Sequence, residues 1–328
     1  YPCAPGDLLF PDRLPLRLDP FASGGGMSTT SADFSRWSQA RLAEVEQLLE
    51  RWVPAAAPAG LGAAMRYAVL DGGKRLRPLL VLASAEAVEG VPPPLGSAAW
   101  RAACALELIH AYSLVHDDMP CMDNDVLRRG KPTLHVQFGE AQALLAGDAL
   151  QALAFEVLLP EDQSVEPALA ARLCRQLTRA AGWDGMAGGQ AIDLAGVGQQ
   201  LDQASLEDMH RRKTGALLLA SVEMGAAAAG ASATQLAAMA RYGRALGLAF
   251  QVVDDILDVT ADSVTLGKTA GKDAASDKPT YVSLLGLERA QQYASQLLEQ
   301  AHAALADSGL PDVRALAALA DMVVRRSH

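Results

Sequence analysis

Aromatic residues, cysteines and long apolar runs are all scarce in this chain of 328 residues. Only 5% of the residues are aromatic, although 50% are hydrophobic. No uncharged apolar run approaches the roughly 20 residues that cross a bilayer. The four cysteines, Cys3, Cys104, Cys121 and Cys174, have neither zinc-ligand spacing nor the density of a disulfide-rich secreted domain. These absences predict no membrane association and a reducing compartment, the cytoplasm.

Basic residues are outnumbered by acidic ones. The 28 lysines and arginines oppose 38 aspartates and glutamates, which gives a formal net charge of −10. Because phosphate backbones select basic surfaces, this balance argues against nucleic acid as a partner. A small phosphorylated ligand is compatible, since a few local cations and a metal ion can reverse the field inside one cleft.

Alanine and leucine dominate what is present, as in the runs 226–229 and 315–320. These residues lose little side-chain entropy in a helix, so the composition predicts an all-α protein. Apolar spacings of three, four and seven predict a helix over 33–52, and no alternating strand pattern competes. The Gly-rich stretch 182–189 is among the predicted breaks. The other predicted helices cover about 61–70, 75–90, 97–119, 136–158, 166–182, 205–228, 233–260, 279–306 and 312–326.

The organisation of the chain changes only near its beginning. Residues 1–26 are rich in proline and glycine and lack helical periodicity, and Met27 follows them. We interpret Met27 as the native start and residues 1–26 as an added or disordered extension, with a targeting peptide as the alternative. No composition shift divides residues 27–328. We therefore predict a single domain there, a bundle of about ten helices around one cavity.

Two acidic clusters interrupt otherwise apolar helices. Burying unpaired carboxylates costs several kcal/mol, so each cluster needs a metal ion, a cation or water. A single Asp-Asp pair is more often a solvated helix face. Here both pairs have apolar flanks and the pattern occurs twice, which favours two functional clusters. Their carboxylates are Asp117, Asp118, Asp123, Asp254, Asp255 and Asp258.

The spacing within each cluster predicts how its carboxylates are arranged. Asp254 and Asp258 are four residues apart and share one helix face, where oxygen ligands suit Mg²⁺. Asp117 and Asp123 are six apart, which on a regular helix would point them about 120° apart. Pro120 lies between them and is poorly tolerated inside a helix. We predict that the helix ends or distorts there and lets Asp123 return towards Asp117.

Basic residues accompany these acids along the chain. Arginine suits bidentate phosphate contacts, and lysine suits point-charge contacts. Each cation alone would more often be a solvated surface residue, but acidic clusters and several cations together predict a ligand with several phosphates. The cations are Lys74, Arg75, Arg77, Arg128, Arg129, Lys131, Lys213, Lys268 and Lys278.

From about Ala32 to the C-terminus, these motifs resemble those of the all-α trans-isoprenyl diphosphate synthases. Several independent motifs occur in the family's order, which makes the resemblance specific. They are the GGKRxRP segment at 72–78, the DDxxxxD motif at 117–123 with Arg128-Arg129-Gly130, the GQxxDL segment at 189–194, the KTG at 213–215, the second aspartate motif at 250–258, and the segment 267–278.

The resemblance implies an isoprenoid synthase fold and a role for each matched residue. Both aspartate motifs would face one cavity, where Asp117, Asp123 and Asp254 would hold Mg²⁺, three ions per site, with Mn²⁺ able to substitute. Asp118, Asp255 and Asp258 would support them. The allylic diphosphate would contact Arg128, Lys213, Thr214, Gln251, Lys268 and Lys278. Isopentenyl diphosphate would contact Lys74, Arg77, His110 and Arg129.

The resemblance also implies a reaction, a product and an assembly. Isopentenyl diphosphate would add head-to-tail to dimethylallyl and then geranyl diphosphate, releasing pyrophosphate, in a homodimer. Tyr112 and Ser113 lie about one helical turn before Asp117 and would limit the product to fifteen carbons, farnesyl diphosphate. The alternatives are a geranylgeranyl diphosphate synthase and a non-catalytic helical subunit, and the presence of both aspartate motifs argues against the latter.

Overall fold

The computed structural model describes residues 31–70, 72–199, 201–260 and 280–325. The predictions made for residues 1–26, for Lys268 and for Lys278 lie outside these ranges. Among the described residues, all regular secondary structure is helical except one two-stranded hairpin. The predicted all-α class is therefore confirmed.

Fourteen α-helices follow one another along the described residues. The first half contains α1 (Ser31–Trp52), α2 (Leu61–Val69), α3 (Leu76–Glu89), α4 (Ala98–Asp117), α5 (Leu134–Phe138), α6 (Glu140–Leu158) and α7 (Pro167–Ala181). The second half contains α8 (Met186–Ala195), α9 (Gln203–His210), α10 (Ala216–Ala228), α11 (Ala233–Thr260), α12 (Tyr281–Leu285), α13 (Leu287–Ala306) and α14 (Arg314–Val324).

The centre of the bundle is formed by helices that are apolar on every side. Most of α4 is buried, and it packs between α3 and α6, while α10 packs between α3 and α11. A helix without a polar face must be enclosed by neighbours, which explains these positions. The amphipathic α1, α7 and α13 lie further out, each burying one side against this centre. The bundle thereby holds the end of α4 and the C-terminal half of α11 around a common cavity.

Glycine explains two differences from the predicted helices. The predicted helix over 136–158 is two helices, because Gly139 adopts φ 87° between α5 and α6. The predicted helix over 279–306 is likewise divided by Gly286, at φ 80°. Glycine reaches these left-handed conformations without steric cost, so each helix stops and a new one starts in another direction.

Three further elements were not predicted. The stretch interpreted as a Gly-rich break contains the start of helix α8, so that part of the prediction is wrong. A short antiparallel hairpin pairs Leu127–Arg128 with Lys131–Pro132, where no strand was expected. The predicted helix over 205–228 includes a π-helical segment, Arg211–Gly215, between α9 and α10. A π-helical segment of this kind is frequent at functional sites.

Candidate active site

A cavity of about 770 Å³ lies between α4, α8, the π-helical segment and α11. Both predicted acidic clusters contribute to its wall, and so do several of the predicted cations that the structure describes. The predicted site residues that line it are Arg77, His110, Tyr112, Ser113, Asp117, Asp123, Arg128, Lys213, Thr214, Gln251, Asp254 and Asp255.

The first acidic cluster is formed where α4 ends. The helix stops at Asp117, and the chain turns so that the backbone N–H of Asp123 donates to the carbonyl of Asp117 at 2.9 Å. This is the return of Asp123 that Pro120 predicts. Burial raises the pKa of Asp117 to about 6, against the effect of Lys213, and the Asp123 carboxylate adds to the rise. The two carboxylates therefore form a site that favours a cation.

Asp118 contacts an arginine, whereas the preceding Asp117 lines the cavity. Asp118 is buried and does not line the cavity, and the Arg128 guanidinium contacts both its oxygens, with Nε–Oδ2 2.8 Å and Nη2–Oδ1 2.6 Å. Burial raises the pKa of Asp118, while Arg128 opposes the rise. The hairpin that carries Arg128 brings it back over the end of α4. Asp118 thus fixes a cavity-lining arginine by bidentate contact, whereas the family resemblance implies that it supports the metal.

The second acidic cluster lies inside the unbroken helix α11. Asp254 lines the cavity. Asp255 is buried and accepts hydrogen bonds from the Gln251 amide at 2.9 Å and from the backbone N–H of Tyr281 at 2.8 Å. Asp258 is buried away from the cavity wall, and its Oδ1 has no hydrogen-bond partner among the described residues. In each Asp-Asp pair the first residue lines the cavity and the second is held by protein donors, but Asp255 also lines the cavity whereas Asp118 does not.

The π-helical segment places Lys213 and Thr214 on the wall. Helix α8 crosses it so closely that a Cβ at Gly189 would overlap the Lys213 backbone. On the next turn of α8, Asp193 forms an ion pair with Lys213 at 2.5 Å. Thr214 donates its hydroxyl hydrogen to Gln251 Oε1 at 3.0 Å. The unpredicted helix α8 is thus the element that orients the lysine of the KTG motif.

The basic side of the cavity is formed by Arg77 and His110. Burial lowers the pKa of His110 well below its ordinary value, and the guanidiniums of Arg77, Arg129, Arg128 and Arg75 add to this effect. Burial also lowers the pKa of Arg77, and its Nε has no hydrogen-bond partner among the described residues. A half-buried guanidinium with an unpaired donor, beside a neutral histidine, suits a bound anion.

The other two residues of the predicted isopentenyl diphosphate site lie at its edge. Arg129 is exposed and donates to the carbonyl of Gly72 at 2.6 Å. Lys74 is exposed, and neither residue lines the cavity. The predicted set is therefore brought to one region, but only Arg77 and His110 form the wall.

Arg75 stabilises the turn that carries these cations. It is buried in a left-handed conformation, φ 43°, immediately before α3. Its guanidinium donates to Glu46 and Glu107, each at 2.7 Å, and to the carbonyl of Val69 at 2.6 Å. Because its donors are used inside the protein, this arginine serves the fold, while Arg77 of the same motif reaches the cavity.

Three residues on the wall were not assigned from the sequence. Asp193 lies in the GQxxDL segment, so the motif was visible but its contact with Lys213 was not. Gln190 and His210 line the cavity, and their buried side-chain polar atoms have no hydrogen-bond partner among the described residues. Burial lowers the pKa of His210 to about 4, so it is neutral at pH 7. Nothing in the spacing around His210 distinguishes it from a packing residue.

Tyr112 and Ser113 both reach the cavity from α4. The Tyr112 side chain is 8% exposed, its hydroxyl is hydrogen-bonded to the Gln151 side chain, and its ring meets the His116 ring edge-on at 5.6 Å between centroids. The His116 ring in turn packs against Gly147, where a Cβ would overlap it. Tyr112 is therefore held in place by α6 and bounds the space available to a ligand.

The donor set fits Mg²⁺ that is shared with a phosphorylated ligand. Among the described residues, no three metal-ligating side chains converge on one point. Asp117 and Asp123 lie together, and Asp254 reaches the same cavity from another helix. Mg²⁺ in proteins is commonly held by one or two carboxylates, waters and substrate phosphates. Burial raises the pKa of Asp117, and the nearby cations Lys213 and Arg128 do not offset this rise.

One side of the cavity carries acidic groups that suit a divalent cation, and the other carries partly buried basic groups that suit an anion. An apolar helical bundle surrounds both sides. This combination is typical of a helical enzyme that processes diphosphates. The polyprenyl synthetase family profile matches residues 58–316. The chain belongs to this family and is a trans-isoprenyl diphosphate synthase, a prenyltransferase.

The relatives include proteins named for each of the two products that the sequence leaves open, farnesyl diphosphate and geranylgeranyl diphosphate. Farnesyl diphosphate synthase of Geobacillus stearothermophilus is 44% identical over 285 residues, which cover 87% of this chain and 95% of the relative. The large subunit 1 of heterodimeric geranylgeranyl pyrophosphate synthase from Arabidopsis thaliana is 44% identical over 304 residues, covering 91% and 81%. A geranyltransferase of Helicobacter pylori, solved with magnesium and isoprenyl diphosphate, is 34% identical with a TM-score of 0.76, covering 92% and 98%.

Proposed function

We propose that this prenyltransferase makes farnesyl diphosphate. Isopentenyl diphosphate adds first to dimethylallyl diphosphate and then to the geranyl diphosphate so formed. In each step the allylic C–O bond breaks, the double bond of isopentenyl diphosphate attacks the allylic carbon, and a proton is lost to the departing pyrophosphate. The proposal assigns the acidic side of the cavity to the allylic diphosphate and the basic side to isopentenyl diphosphate.

The observation that carries the fifteen-carbon product is the position of Tyr112. Its ring lines the cavity about one helical turn from Asp117, and both Gln151 and His116 hold it there. A growing chain that extends from the metal-binding carboxylates along α4 would meet this ring. The second candidate, geranylgeranyl diphosphate, is favoured by the relatives with that name. A non-catalytic subunit is disfavoured because both acidic clusters and the lysine that faces them are in place.

The proposed metal is Mg²⁺, three ions per site, held by Asp117, Asp123 and Asp254, with Mn²⁺ able to substitute. When bound, it would neutralise the charge that accumulates on the leaving diphosphate. Arg128 and Lys213 would add fixed positive charge beside it, and Thr214 and Gln251 would complete the allylic side. Electrostatic stabilisation of this kind needs no nucleophilic side chain. The surrounding apolar wall would protect the allylic cation from water.

We further propose a homodimer in the cytoplasm, without membrane association. Among the described residues, α6 is the one helix long and apolar enough to cross a bilayer, and 39% of its most apolar stretch is buried in the bundle. Its outer side exposes Leu144 and Leu145, at 47% and 53%. A second copy of the chain is the proposed cover for this side. The described cysteines, Cys104, Cys121 and Cys174, are free thiols, which is compatible with a reducing compartment.

The test is the product profile. Purified protein is incubated with labelled isopentenyl and dimethylallyl diphosphates, and the dephosphorylated products are separated by chromatography. We expect mainly fifteen-carbon product, and Tyr112→Ala should lengthen it to twenty carbons or more with little loss of the first condensation. Tyr112→Phe is the control, because it keeps the ring and should keep the product. Wild type that makes mainly twenty-carbon product, or an unchanged Tyr112→Ala profile, would show that another feature sets the length.

A further inference from the structure

Three side chains beside the cavity form a hydrogen-bond relay. The backbone N–H of Tyr281, at the start of α12, donates to Asp255 Oδ2 at 2.8 Å. The Gln251 amide donates to Asp255 Oδ1 at 2.9 Å. The Thr214 hydroxyl donates to Gln251 Oε1 at 3.0 Å. The relay therefore connects α12, α11 and the π-helical segment.

The direction of this relay is fixed at its buried end. A backbone N–H can only donate, and an ionised carboxylate can only accept. Asp255 must therefore receive the NH₂ group of Gln251, which leaves the Gln251 carbonyl oxygen for Thr214. The orientation of the Gln251 amide thus follows from the chemistry of its neighbours, and the opposite orientation would place two acceptors against each other.

The relay determines how the Thr214 hydroxyl is oriented. A hydroxyl has one hydrogen and two lone pairs, and the hydrogen of Thr214 is used by Gln251. Thr214 lines the cavity, so the side of its oxygen that faces the cavity carries lone pairs. With the relay reversed, the same hydroxyl would turn its hydrogen into the cavity.

We propose that Asp255 is a positioning residue that acts through Gln251 to keep the Thr214 hydroxyl an acceptor towards the cavity. The oxygen then offers negative charge density to the allylic carbon as its C–O bond breaks. A preorganised dipole stabilises developing charge because it needs no reorientation during the reaction. This inference rests on the proposed position of the allylic substrate beside Lys213 and Thr214.

This role differs from the metal support that the family resemblance implies for Asp255. Each of its two carboxylate oxygens already accepts a hydrogen bond from the protein. The same division exists in the first cluster, where Asp118 is engaged by Arg128. In both pairs the preceding residue, Asp117 or Asp254, lines the cavity, and Asp255 itself lines it while both its oxygens are engaged.

Replacement of Asp255 by asparagine is the sharpest test, because it changes the relay with almost no change in shape. The Tyr281 N–H still needs an acceptor, so the introduced amide would turn its oxygen there and its NH₂ group to Gln251. Gln251 would then flip and donate to Thr214, whose hydrogen would point into the cavity. We expect Asp255→Asn to lower kcat about a hundredfold. The KM values and the Mg²⁺ concentration for half-maximal rate should change less than about threefold.

A double-mutant cycle separates this role from a general loss of structure. Thr214→Val removes the hydroxyl at nearly constant shape and should lower kcat by a similar factor, while Thr214→Ser should retain most of it. If Asp255 acts through Thr214, the double variant Asp255→Asn/Thr214→Val is no slower than Thr214→Val. Tyr242→Phe is the control for stability, since it removes a buried hydrogen bond on α11, to the Leu316 carbonyl at 2.8 Å, outside the cavity wall. It should lower the Tm and leave kcat unchanged.

Each result has a defined meaning. Independent, multiplicative effects of the two substitutions would overturn the relay, and so would a raised Mg²⁺ requirement in Asp255→Asn. An unchanged kcat in Asp255→Asn would also overturn it. If Thr214→Val itself keeps the wild-type kcat, the proposed position of the allylic substrate is wrong and the inference fails with it. If Thr214→Val lowers kcat and Asp255→Asn lowers it further by an independent factor, the relay is wrong. The proposed function then stands.

Discussion

The acidic side of the cavity, formed by Asp117, Asp123 and Asp254, can be compared with the basic side, formed by Arg77 and His110. Burial raises the pKa of Asp117 to about 6. On the other side, burial lowers the pKa of both Arg77 and His110. Each side is therefore costly when charged and unliganded, but a different partner relieves the cost.

The two sides of the cavity differ in whether the negative charge of a diphosphate alone compensates them. Its negative charge directly compensates the basic side, where His110 is neutral and Arg77 has an unused donor among the described contacts. On the acidic side, the same charge would add to the repulsion unless a cation arrives with it. Lys213 does not fill this need alone, because Asp193 already engages it. The comparison therefore predicts a metal-dependent and a metal-independent diphosphate subsite in one cavity.

The largest expected effect comes from removal of a carboxylate on the acidic side. Asp117→Ala or Asp254→Ala should lower kcat about a thousandfold or more, because charge on the leaving diphosphate is no longer neutralised. The fold should survive, since the carboxylates repel one another without metal. Steady-state rates and circular dichroism would measure both effects, with the exposed Asp307→Ala as a control. A loss of less than about tenfold in either variant would contradict the assignment.

A smaller effect is expected on the basic side. A charge-assisted contact with phosphate contributes roughly 1.5–3 kcal/mol. Arg77→Ala should therefore raise the KM for isopentenyl diphosphate more than tenfold and that for the allylic substrate much less. Arg241→Ala, at a largely exposed position, should change neither constant. Equal increases in both constants would mean that the two subsites share this arginine.

The smallest effect concerns pH and stability. His210 has its pKa lowered to about 4 in the folded protein, against an ordinary 6.5, so it stays neutral while the unfolded chain takes up a proton. Stability is therefore lost as the pH falls from about 6.5 to about 4, by up to about 3 kcal/mol. His210→Gln should lose less free energy of unfolding than wild type between about pH 7 and 4.5, as measured by denaturant titration. Asp117 has an opposite slope, but it acts in both proteins and cancels.

Identical pH dependence in wild type and His210→Gln would contradict the buried, neutral state of this histidine. It would also remove His210 from the unsatisfied polar groups of the cavity wall. In that case, the pKa shifts that describe the two sides of the cavity would still be those of Asp117 on the acidic side and of Arg77 and His110 on the basic side.

Much of the bundle was predictable because apolar spacing marks long helices. Proline at position 120 was enough to predict the turn that returns Asp123 to Asp117. Helix α8 was missed because its glycines look like a break, whereas Gly189 is needed for close packing against Lys213. The π-helical segment has no spacing signal, since its residues continue the helical pattern on both sides.

Many of the residues that line the cavity could be selected from the sequence motifs, but their different contacts could not. Asp118 and Asp255 look equivalent to Asp117 and Asp254 in the sequence. Only the folded chain shows the guanidinium held by Asp118 and the amide held by Asp255. The Asp118–Arg128 contact depends on the hairpin at 127–132, and the place of Asp255 in the relay depends on the packing of α11 against α12 and the π-helical segment, which no local pattern specifies.

The central claim is that one cavity holds a metal-dependent and a metal-independent diphosphate subsite. Calorimetric titration tests it directly with isopentenyl diphosphate and with an unreactive thiolo analogue of geranyl diphosphate, each in excess chelator and in Mg²⁺. We predict that isopentenyl diphosphate binds in both conditions with similar affinity, and that the analogue binds tightly only with Mg²⁺. Tight binding of the analogue in chelator, or loss of isopentenyl diphosphate binding there, would contradict the claim.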